Sequence, residues 1–177
     1  MSIDNFNKDE YNSGNGMLTY IWGPALWHFL HTISFNYPIN PTLTDKKKYN
    51  NFLLSLRDIL PCKYCRDNFM NNLETIQLRK EDFDNRDSFS RMIYKLHNEV
   101  NRGLEKTTTL SYNEVKNNYE NIRARCNMVD LRKTDTTEKG CTEPMNKNVK
   151  HKCKLSIIKL TNDSEKQDSI CFPKQFK

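Results

Sequence analysis

The sequence predicts an all-α protein, a four-helix bundle with a short fifth helix and a polar C-terminal extension. Apolar residues recur at helical three-and-four spacing between residues 19 and 126, and no alternating run or hairpin signal interrupts them. The length of 177 residues suits one domain and an appendage. A mean hydropathy of −0.85 with 11% aromatic residues fits a packed core joined to a polar segment.

The chain opens with a polar stretch, Met1–Met17, which has no apolar periodicity and is expected to be a flexible lead-in. The first helix is predicted to start at Thr19 and to stop before Pro38. Its apolar face comprises Trp22, Leu26, Phe29, Leu30 and Ile33. Thr44 or Asp45 can cap a second helix. The apolar face of that helix comprises Tyr49, Phe52, Leu53, Leu56, Ile59 and Leu60.

Three further helices are predicted. Pro61 suits the first turn of a third helix, which runs through Phe69 and Leu73. A polar stretch over residues 79–87 precedes the fourth helix, whose apolar side comprises Phe89, Met92, Ile93, Leu96, Val100 and Leu104. Ser111 and Glu114 form a capping-box pattern before a fifth helix. We therefore divide the chain into a lead-in at 1–17, a helical domain at 18–126 and a Lys-rich, Cys-containing tail at 127–177.

The net charge of +6 belongs mostly to the tail. Residues 1–126 hold 17 basic and 15 acidic side chains, whereas residues 127–177 hold 11 and 7. No stacked aromatic array or zinc-finger spacing accompanies this excess, so a nucleic-acid binder is disfavoured. No apolar run reaches the length of a membrane-spanning helix, and Met1–Tyr20 lacks the plan of a signal peptide. We expect a protein that is not secreted and has no membrane span.

Two of the six cysteines lie close together, Cys62 and Cys65 in the segment P-C-K-Y-C-R. Cysteines at positions i and i+3 can close a small disulfide ring in a helix, and Pro61 would place Cys62 at a helix N-terminus. There the unpaired N–H groups and the helix dipole stabilise a thiolate, the nucleophile of thiol–disulfide exchange. The pair is predicted to be redox-active, with half of a zinc site and incidental cysteines as alternatives. A thioredoxin-like fold is disfavoured because helices flank the motif on both sides.

A second, polar-aromatic stripe follows two of the helices. Gly23, Trp27 and His31 recur every four residues on the first helix, and His97 and Asn101 do so on the fourth. Glycine lets a flat group approach the backbone, tryptophan can stack on a ring, and the other side chains offer hydrogen bonds. Lys106 could meet a phosphate. At any single position, an ordinary core residue is the competing interpretation.

Four segments carry a family resemblance: W-G-P-A-L-W-H-F-L-H-T at 22–32, Y-P at 37–38, P-C-K-Y-C at 61–65 and H-N-E-V-N-R-G-L-E-K at 97–106. In order and spacing over residues 19–125, the chain closely resembles the Erv/ALR family of FAD-dependent sulfhydryl oxidases. The resemblance implies a four-helix bundle with a fifth helix capping the flavin, non-covalent FAD, and a homodimer.

The resemblance also implies roles for single residues. Cys65 would lie next to the flavin and pass electrons to it, while Cys62 would exchange with the thiol substrate. The family's FAD-contacting positions fall on Gly23, Trp27, His31, His97, Asn101 and Lys106. Tyr119 aligns, after a one-residue insertion, with a family tryptophan on the adenine side. The implied reaction oxidises paired thiols, of proteins or of a thioredoxin-like dithiol carrier, and passes the electrons to O2 with release of H2O2.

The sequence departs from the family pattern in two places. Tyr94 and Ser111 stand where cellular members carry a second, structural disulfide, so that disulfide is absent, as in the shortened oxidases of large DNA viruses. The lead-in has no cysteine for a shuttle arm, which leaves Cys126, Cys141, Cys153 and Cys171. Cys141 and Cys153 flank a Lys-rich link and are candidate shuttle cysteines; a static disulfide with Cys126 or Cys171 is the equal alternative.

Two other function classes compete with the oxidase. A zinc-stabilised helical interaction module could use Cys62, Cys65, His151 and Cys153 as ligands, but it leaves the polar-aromatic stripe unexplained. The basic tail could bind an anionic surface on a bundle without redox function, but the intact CxxC argues against this. We expect no metal. A viral protein is expected in the host cytoplasm or the virion, and a cellular one in the mitochondrial intermembrane space.

Overall fold

The computed structural model describes residues 7–125, 141 and 143–145. Oxygen-bearing side chains cap three of its longer helices: α3 (Leu43–Ile59), α5 (Arg86–Gly103) and α6 (Tyr112–Asn121). Thr42 begins α3 with a capping box: its Oγ1 accepts from the Asp45 N–H at 3.1 Å, and the Asp45 carboxylate accepts from the Thr42 N–H at 2.9 Å. The cap predicted at Thr44 or Asp45 is therefore wrong, because Asp45 is the third helical residue and reaches back to the true cap. Asn85 caps α5 through the Ser88 N–H. Ser111 and Glu114 form the predicted capping box at the start of α6.

The five predicted helices follow the predicted order along the chain. The sequence did not predict a short helix at Lys8–Tyr11, inside the stretch expected to be a flexible lead-in, or a 3₁₀ helix at Lys80–Phe83. The bounds of the helices are α1 Lys8–Tyr11, α2 Thr19–Phe35, α3 Leu43–Ile59, α4 Lys63–Thr75, a 3₁₀ helix Lys80–Phe83, α5 Arg86–Gly103 and α6 Tyr112–Asn121. Four of the described helices form the bundle. The pairs in contact are α2 with α5, α3 with α4, and α4 with α5. The prediction of an all-α bundle is confirmed.

The core lies among α2, α3, α4 and α5. Its members are aliphatic and aromatic residues from the predicted stripes: Leu30, Leu53, Leu56, Phe69, Leu73, Phe89, Met92, Ile93 and Leu96. Tyr37, in the turn after α2, is fully buried and donates its hydroxyl hydrogen to the Phe83 carbonyl at 2.8 Å. Arg86 donates in turn to the Tyr37 carbonyl at 2.6 Å. These contacts fix the turn onto the 3₁₀ helix that precedes α5.

By compactness the chain divides into two units, Met1–Thr108 and Thr109–Lys177. In the second unit, α6 is followed by β1 Ala124–Arg125, which pairs antiparallel with β2 Glu143–Pro144. The sequence carries no signal for this pairing, because a two-residue strand has no readable period. The limits predicted at residues 17 and 126 stay predictions. No helix among the described residues is long and apolar enough to cross a membrane.

Candidate redox and cofactor site

The redox pair lies at the N-terminus of α4. Cys62 is the N-cap residue and forms a disulfide with Cys65, with their Cα atoms 5.2 Å apart. The Cys65 N–H donates to Cys62 Sγ at 3.1 Å, so the sulfur takes one of the donors that a helix start leaves without an intrahelical partner. The prediction that Pro61 lies in the first turn is wrong, because the helix begins at Lys63 and Pro61 precedes the N-cap residue Cys62. The predicted placement of Cys62 at a helix N-terminus is confirmed.

The end of the lead-in pairs with the CxxC segment. Gly16 and Cys62 form an antiparallel bridge, in which the Met17 N–H donates to the Pro61 carbonyl at 2.7 Å and the Lys63 N–H donates to the Asn15 carbonyl at 3.0 Å. Such a residue pair, flanked by its hydrogen bonds on both sides, brings the two Cα atoms close together. Cys62 is only 8% exposed, whereas Cys65 is half-buried.

Arg66 is the nearest cation with defined contacts. Its guanidinium donates to the Leu60 carbonyl at 2.6 Å and to the Gly14 carbonyl at 3.0 Å. The positive group thus lies between the end of α3 and the lead-in, one helical turn from Cys62.

A second cluster joins α2 to α5. The indole of Trp27 stacks on the imidazole of His97, with ring centroids 4.1 Å apart and planes 10° apart. His31 Nε2 and His97 Nδ1 are 3.0 Å apart, a hydrogen bond in which one ring donates and the other accepts. Three residues of the predicted polar-aromatic stripe therefore lie in contact, although 66 positions separate the two histidines in sequence.

Burial keeps both imidazoles neutral. It lowers the pKa of His31 to about 3, with further contributions from the charges of His97 and His28. It lowers the pKa of His97 to about 4, assisted by the positive charge of Lys106. At neutral pH each ring therefore carries one donor and one acceptor nitrogen, and the hydrogen bond between the two rings uses one nitrogen of each.

The remaining stripe residues border this cluster along the same helices. A Cβ built on Gly23 meets nothing within 4 Å, so α2 leaves open space one turn before Trp27. Asn101 lies one turn after His97 and its carbonyl accepts from the Lys106 N–H at 2.9 Å, which turns the chain back after α5. Trp27 and Cys65 both pack against the same buried core. An open glycine face, a half-buried indole, neutral imidazoles and an exposed lysine suit a flat, anionic cofactor.

The other predicted positions are less defined. Tyr119 is 8% exposed and lies in α6, in the second unit, and its assignment to a cofactor stays a prediction.

Cys141 is exposed and takes part in a disulfide, while Cys126, Cys153, Cys171 and His151 lie outside the described residues. The disulfide between Cys62 and Cys65 removes two of the four thiolates and imidazoles that the zinc alternative requires. Among the residues the structure describes, no cluster of three His, Cys, Asp or Glu side chains could hold a metal ion.

Sequence reasoning missed the contacts of the lead-in with the CxxC. Their only sequence signal is the pair of glycines in S-G-N-G at 13–16, since the hydrogen bonds are between backbone groups. It also missed Trp22, whose Nε1–H donates to the Met17 carbonyl at 3.0 Å and ties the end of the lead-in to α2. Trp22 was assigned to the core, and it does border the core.

Comparison with known proteins finds one family. The model of the Erv1/Alr family matches residues 24–120. The chain is 39% identical over 80 residues to a probable FAD-linked sulfhydryl oxidase of Acanthamoeba polyphaga mimivirus, covering 45% of this chain and 56% of the relative. It is 30% identical over 114 residues to an FAD-linked sulfhydryl oxidase of African swine fever virus (isolate Tick/Malawi/Lil 20-1/1983), covering 64% and 91%.

The matched length differs among relatives. An FAD-linked sulfhydryl oxidase of Arabidopsis thaliana is 34% identical over 84 residues, which cover 48% of this chain and 42% of the relative. The chain thus spans about half the length of the mimivirus and Arabidopsis proteins. Among solved structures, the yeast Erv1 core has a TM-score of 0.52 at 23% identity, over 67% of this chain and 96% of that chain. This likeness supports the helical fold.

Proposed function

Because the chain belongs to the Erv1/Alr family over residues 24–120, we propose that it is an FAD-linked sulfhydryl oxidase. It forms disulfides in thiol substrates and passes the electrons to O2 with release of H2O2. The observation that carries this proposal is the Cys62–Cys65 disulfide, held at a helix N-terminus with an N–H aimed at Cys62 Sγ. The names of the viral and plant relatives support the same activity.

The chemistry at the pair is thiol–disulfide exchange. A substrate thiolate forms a bond to Cys62 Sγ, the Cys62–Cys65 bond breaks, and its electron pair leaves on the sulfur of Cys65. A second substrate thiolate then attacks the substrate sulfur of this mixed disulfide and releases Cys62 as a thiolate. The substrate gains a disulfide, and the CxxC pair gains two electrons. The Cys65 N–H and the start of α4 stabilise the negative charge on Cys62.

FAD, when bound, supplies the two-electron chemistry that returns the pair to the disulfide and delivers the electrons to O2. The residues that would hold it are Gly23, Trp27, His31, His97, Asn101 and Lys106. Trp27 presents a ring face for stacking, the neutral imidazoles present hydrogen-bonding edges, and Lys106 presents a positive charge to a phosphate. The assignment of Tyr119 rests on the family resemblance alone.

Partners and location complete the proposal. Substrates are protein thiols or a thioredoxin-like dithiol carrier, and the protein acts as a homodimer. Cys141 and Cys153 carry electrons between bulky substrates and Cys62; because Cys141 is in a disulfide, the competing arrangement is a static link to Cys126 or Cys171. The viral relatives favour a viral protein, for which the proposed location is the host cytoplasm or the virion. The mitochondrial intermembrane space is the alternative for a cellular protein.

The test is an absorption spectrum of the purified protein before and after a dithiol reductant, together with two variants. The parent should be yellow, zinc-free and bleached by the dithiol. Cys62→Ser and Cys65→Ser should both lose oxygen consumption and keep bound FAD, since neither sulfur holds much of the core. Only Cys62→Ser retains the Cys65 thiolate and should show a long-wavelength charge-transfer band. Near-native turnover in either variant, or a colourless zinc-loaded parent, contradicts the proposal.

A further inference from the structure

We propose that residues Gly14–Met17, called the strap, control the access of thiols to Cys62, and that Gly16 and Arg66 hold the strap closed. The inference rests on the proposed function only in taking Cys62 as the sulfur that a substrate attacks. The strap itself is defined by contacts in the structure, at positions that precede the segment matched to the family.

The first observation is that the residue a substrate thiolate attacks, Cys62, is buried. Exchange at Cys62 requires an incoming thiolate to reach its Sγ along the line of the disulfide bond. Yet Cys62 is only 8% exposed. A closed Cys62 must therefore be uncovered before it can react.

The strap is the element that can uncover it. It pairs with the backbone on both sides of Cys62, at Pro61 and at Lys63. Every residue from Asn7 to Tyr20 is exposed, so the strap has no buried side chain to anchor it. Opening of the strap breaks a few hydrogen bonds and removes no strap side chain from the hydrophobic core. Moving α4 instead would expose the buried side chains of Phe69 and Leu73. Local opening of this kind lies at the low end of the free energies of opening within a protein.

Gly16 makes the close approach possible. A Cβ at this position would lie 2.5 Å from the Pro61 carbonyl oxygen and 2.9 Å from the Cys62 nitrogen, both of them backbone atoms. Its φ of +94° is also a conformation that side-chain-bearing residues rarely adopt. Any other residue at position 16 must lift the strap from Cys62. Gly14 differs, because a Cβ there meets nothing within 4 Å.

Arg66 holds the strap closed through hydrogen bonds of its side chain. The helix dipole disfavours a cation near the start of a helix, where Arg66 lies in α4. Other favourable interactions must therefore stabilise Arg66 at this position. The guanidinium supplies them by bridging the Leu60 carbonyl to the Gly14 carbonyl, in hydrogen bonds that a charged donor strengthens. Trp22 holds the other end of the strap through the Met17 carbonyl.

Opening changes the chemistry at Cys62 as well as its exposure. In the closed state, the Asn15 carbonyl accepts the N–H of Lys63, the first residue of α4. When the strap leaves, that N–H and the Arg66 guanidinium are released beside Cys62. Both favour the thiolate form, so access and reactivity rise together.

The experiment measures the alkylation rate of Cys62 by iodoacetamide in full-length protein carrying Cys65→Ser, with the modified peptide quantified by mass spectrometry. Gly16→Val should raise the rate by at least about tenfold, because a covered thiol reacts only from the open fraction of molecules. Arg66→Gln should raise it by about threefold when the rates are compared at a pH high enough to ionise the Cys62 thiol in both proteins. Under that condition the lost positive charge no longer changes the thiolate fraction, and only the loss of one strap contact remains. The matched control is Gly14→Asn, since asparagine tolerates a φ of +69° and a Cβ at this position meets nothing within 4 Å. Its rate should stay within about twofold of the parent rate.

Rates in Gly16→Val and Arg66→Gln that equal or fall below the parent rate would overturn the proposal. Thermal unfolding of each variant identifies loss of the fold, and Arg66→Gln retains the test if Gly16→Val does not fold. The readout needs no flavin. Faster alkylation in the variants, together with no flavin reduction by a dithiol in the parent enzyme, would support the strap and contradict the proposed oxidase activity. Flavin reduction in the parent, together with unchanged alkylation in the variants, would support the oxidase activity and contradict the strap.

Discussion

The His31–His97 pair should make the fold sensitive to mild acid. Both imidazoles have an ordinary pKa of 6.5, which burial lowers to about 3 for His31 and to about 4 for His97. In the unfolded chain each ring binds a proton as the pH falls through 6.5, while in the folded chain neither does. The unfolded state therefore holds more protons between pH 6.5 and about 4, and acid favours it there.

The size of the effect follows from these values. At pH 5 each histidine should lower the free energy of unfolding by about 2 kcal/mol relative to pH 8, and the pair by about 4 kcal/mol. This is a large share of the roughly 5–15 kcal/mol that stabilises a typical domain. Carboxylates with a lowered pKa, such as Asp45, add little above pH 5, since they are ionised in both states.

The assay is urea unfolding followed by far-UV circular dichroism at pH 8, 7, 6 and 5, with the CxxC kept oxidised. The parent should lose stability steadily below pH 7. His97→Gln removes one titrating ring and keeps an amide that can hydrogen-bond to His31, so it should lose about half of the pH dependence. A parent whose free energy of unfolding changes by less than about 1 kcal/mol between pH 8 and 5 would show that the rings are not buried as a neutral pair.

Two other predictions concern the cofactor and the tail. His97→Ala combined with Asn101→Ala should lower FAD occupancy sharply, because each buried hydrogen bond lost costs about 1–3 kcal/mol; full flavin retention after dialysis would place the cofactor elsewhere. Cys141→Ser combined with Cys153→Ser should slow the oxidation of a folded protein substrate much more than that of a small dithiol, because only the bulky substrate needs an intermediary. Equal effects on both substrates would contradict a shuttle, and unfolding of the variant would support a static disulfide.

The helices were predictable because their signals are local. Apolar spacing located α2 to α6, and the Ser111–Glu114 pattern identified the start of α6 directly. The cap of α3 was misplaced by two or three residues, although Thr42 and Asp45 have the spacing of a capping box. The pattern was overlooked because Asp replaces the usual Glu at the third helical position.

The sequence predicted which residues belong to the candidate site, but it did not predict which of them come into contact. Helical spacing placed Trp27 and His31 on one helix and His97 on another, but only packing of α2 on α5 brings the two imidazoles within hydrogen-bonding distance. The pairing of Asn15–Met17 with the CxxC could not be predicted, since its only sequence signal is the pair of glycines at positions 14 and 16. It is made by backbone groups, which every residue carries, so no side-chain pattern announces it.

One atom serves both the architecture and the chemistry of this protein. Cys62 Sγ is the capping acceptor of α4 and also the sulfur that a substrate thiolate attacks and that later leaves as a thiolate. A charged thiolate is a stronger acceptor than a neutral sulfur, so the start of α4 should be held more tightly in the reduced protein than in the oxidised one. By linkage, whatever frays the first turn of α4 also disfavours reduction. Serine at position 62 keeps a side-chain cap and removes the reactive sulfur, whereas alanine removes both. Comparing the two substitutions therefore separates the capping role of Cys62 from its role in thiol–disulfide exchange.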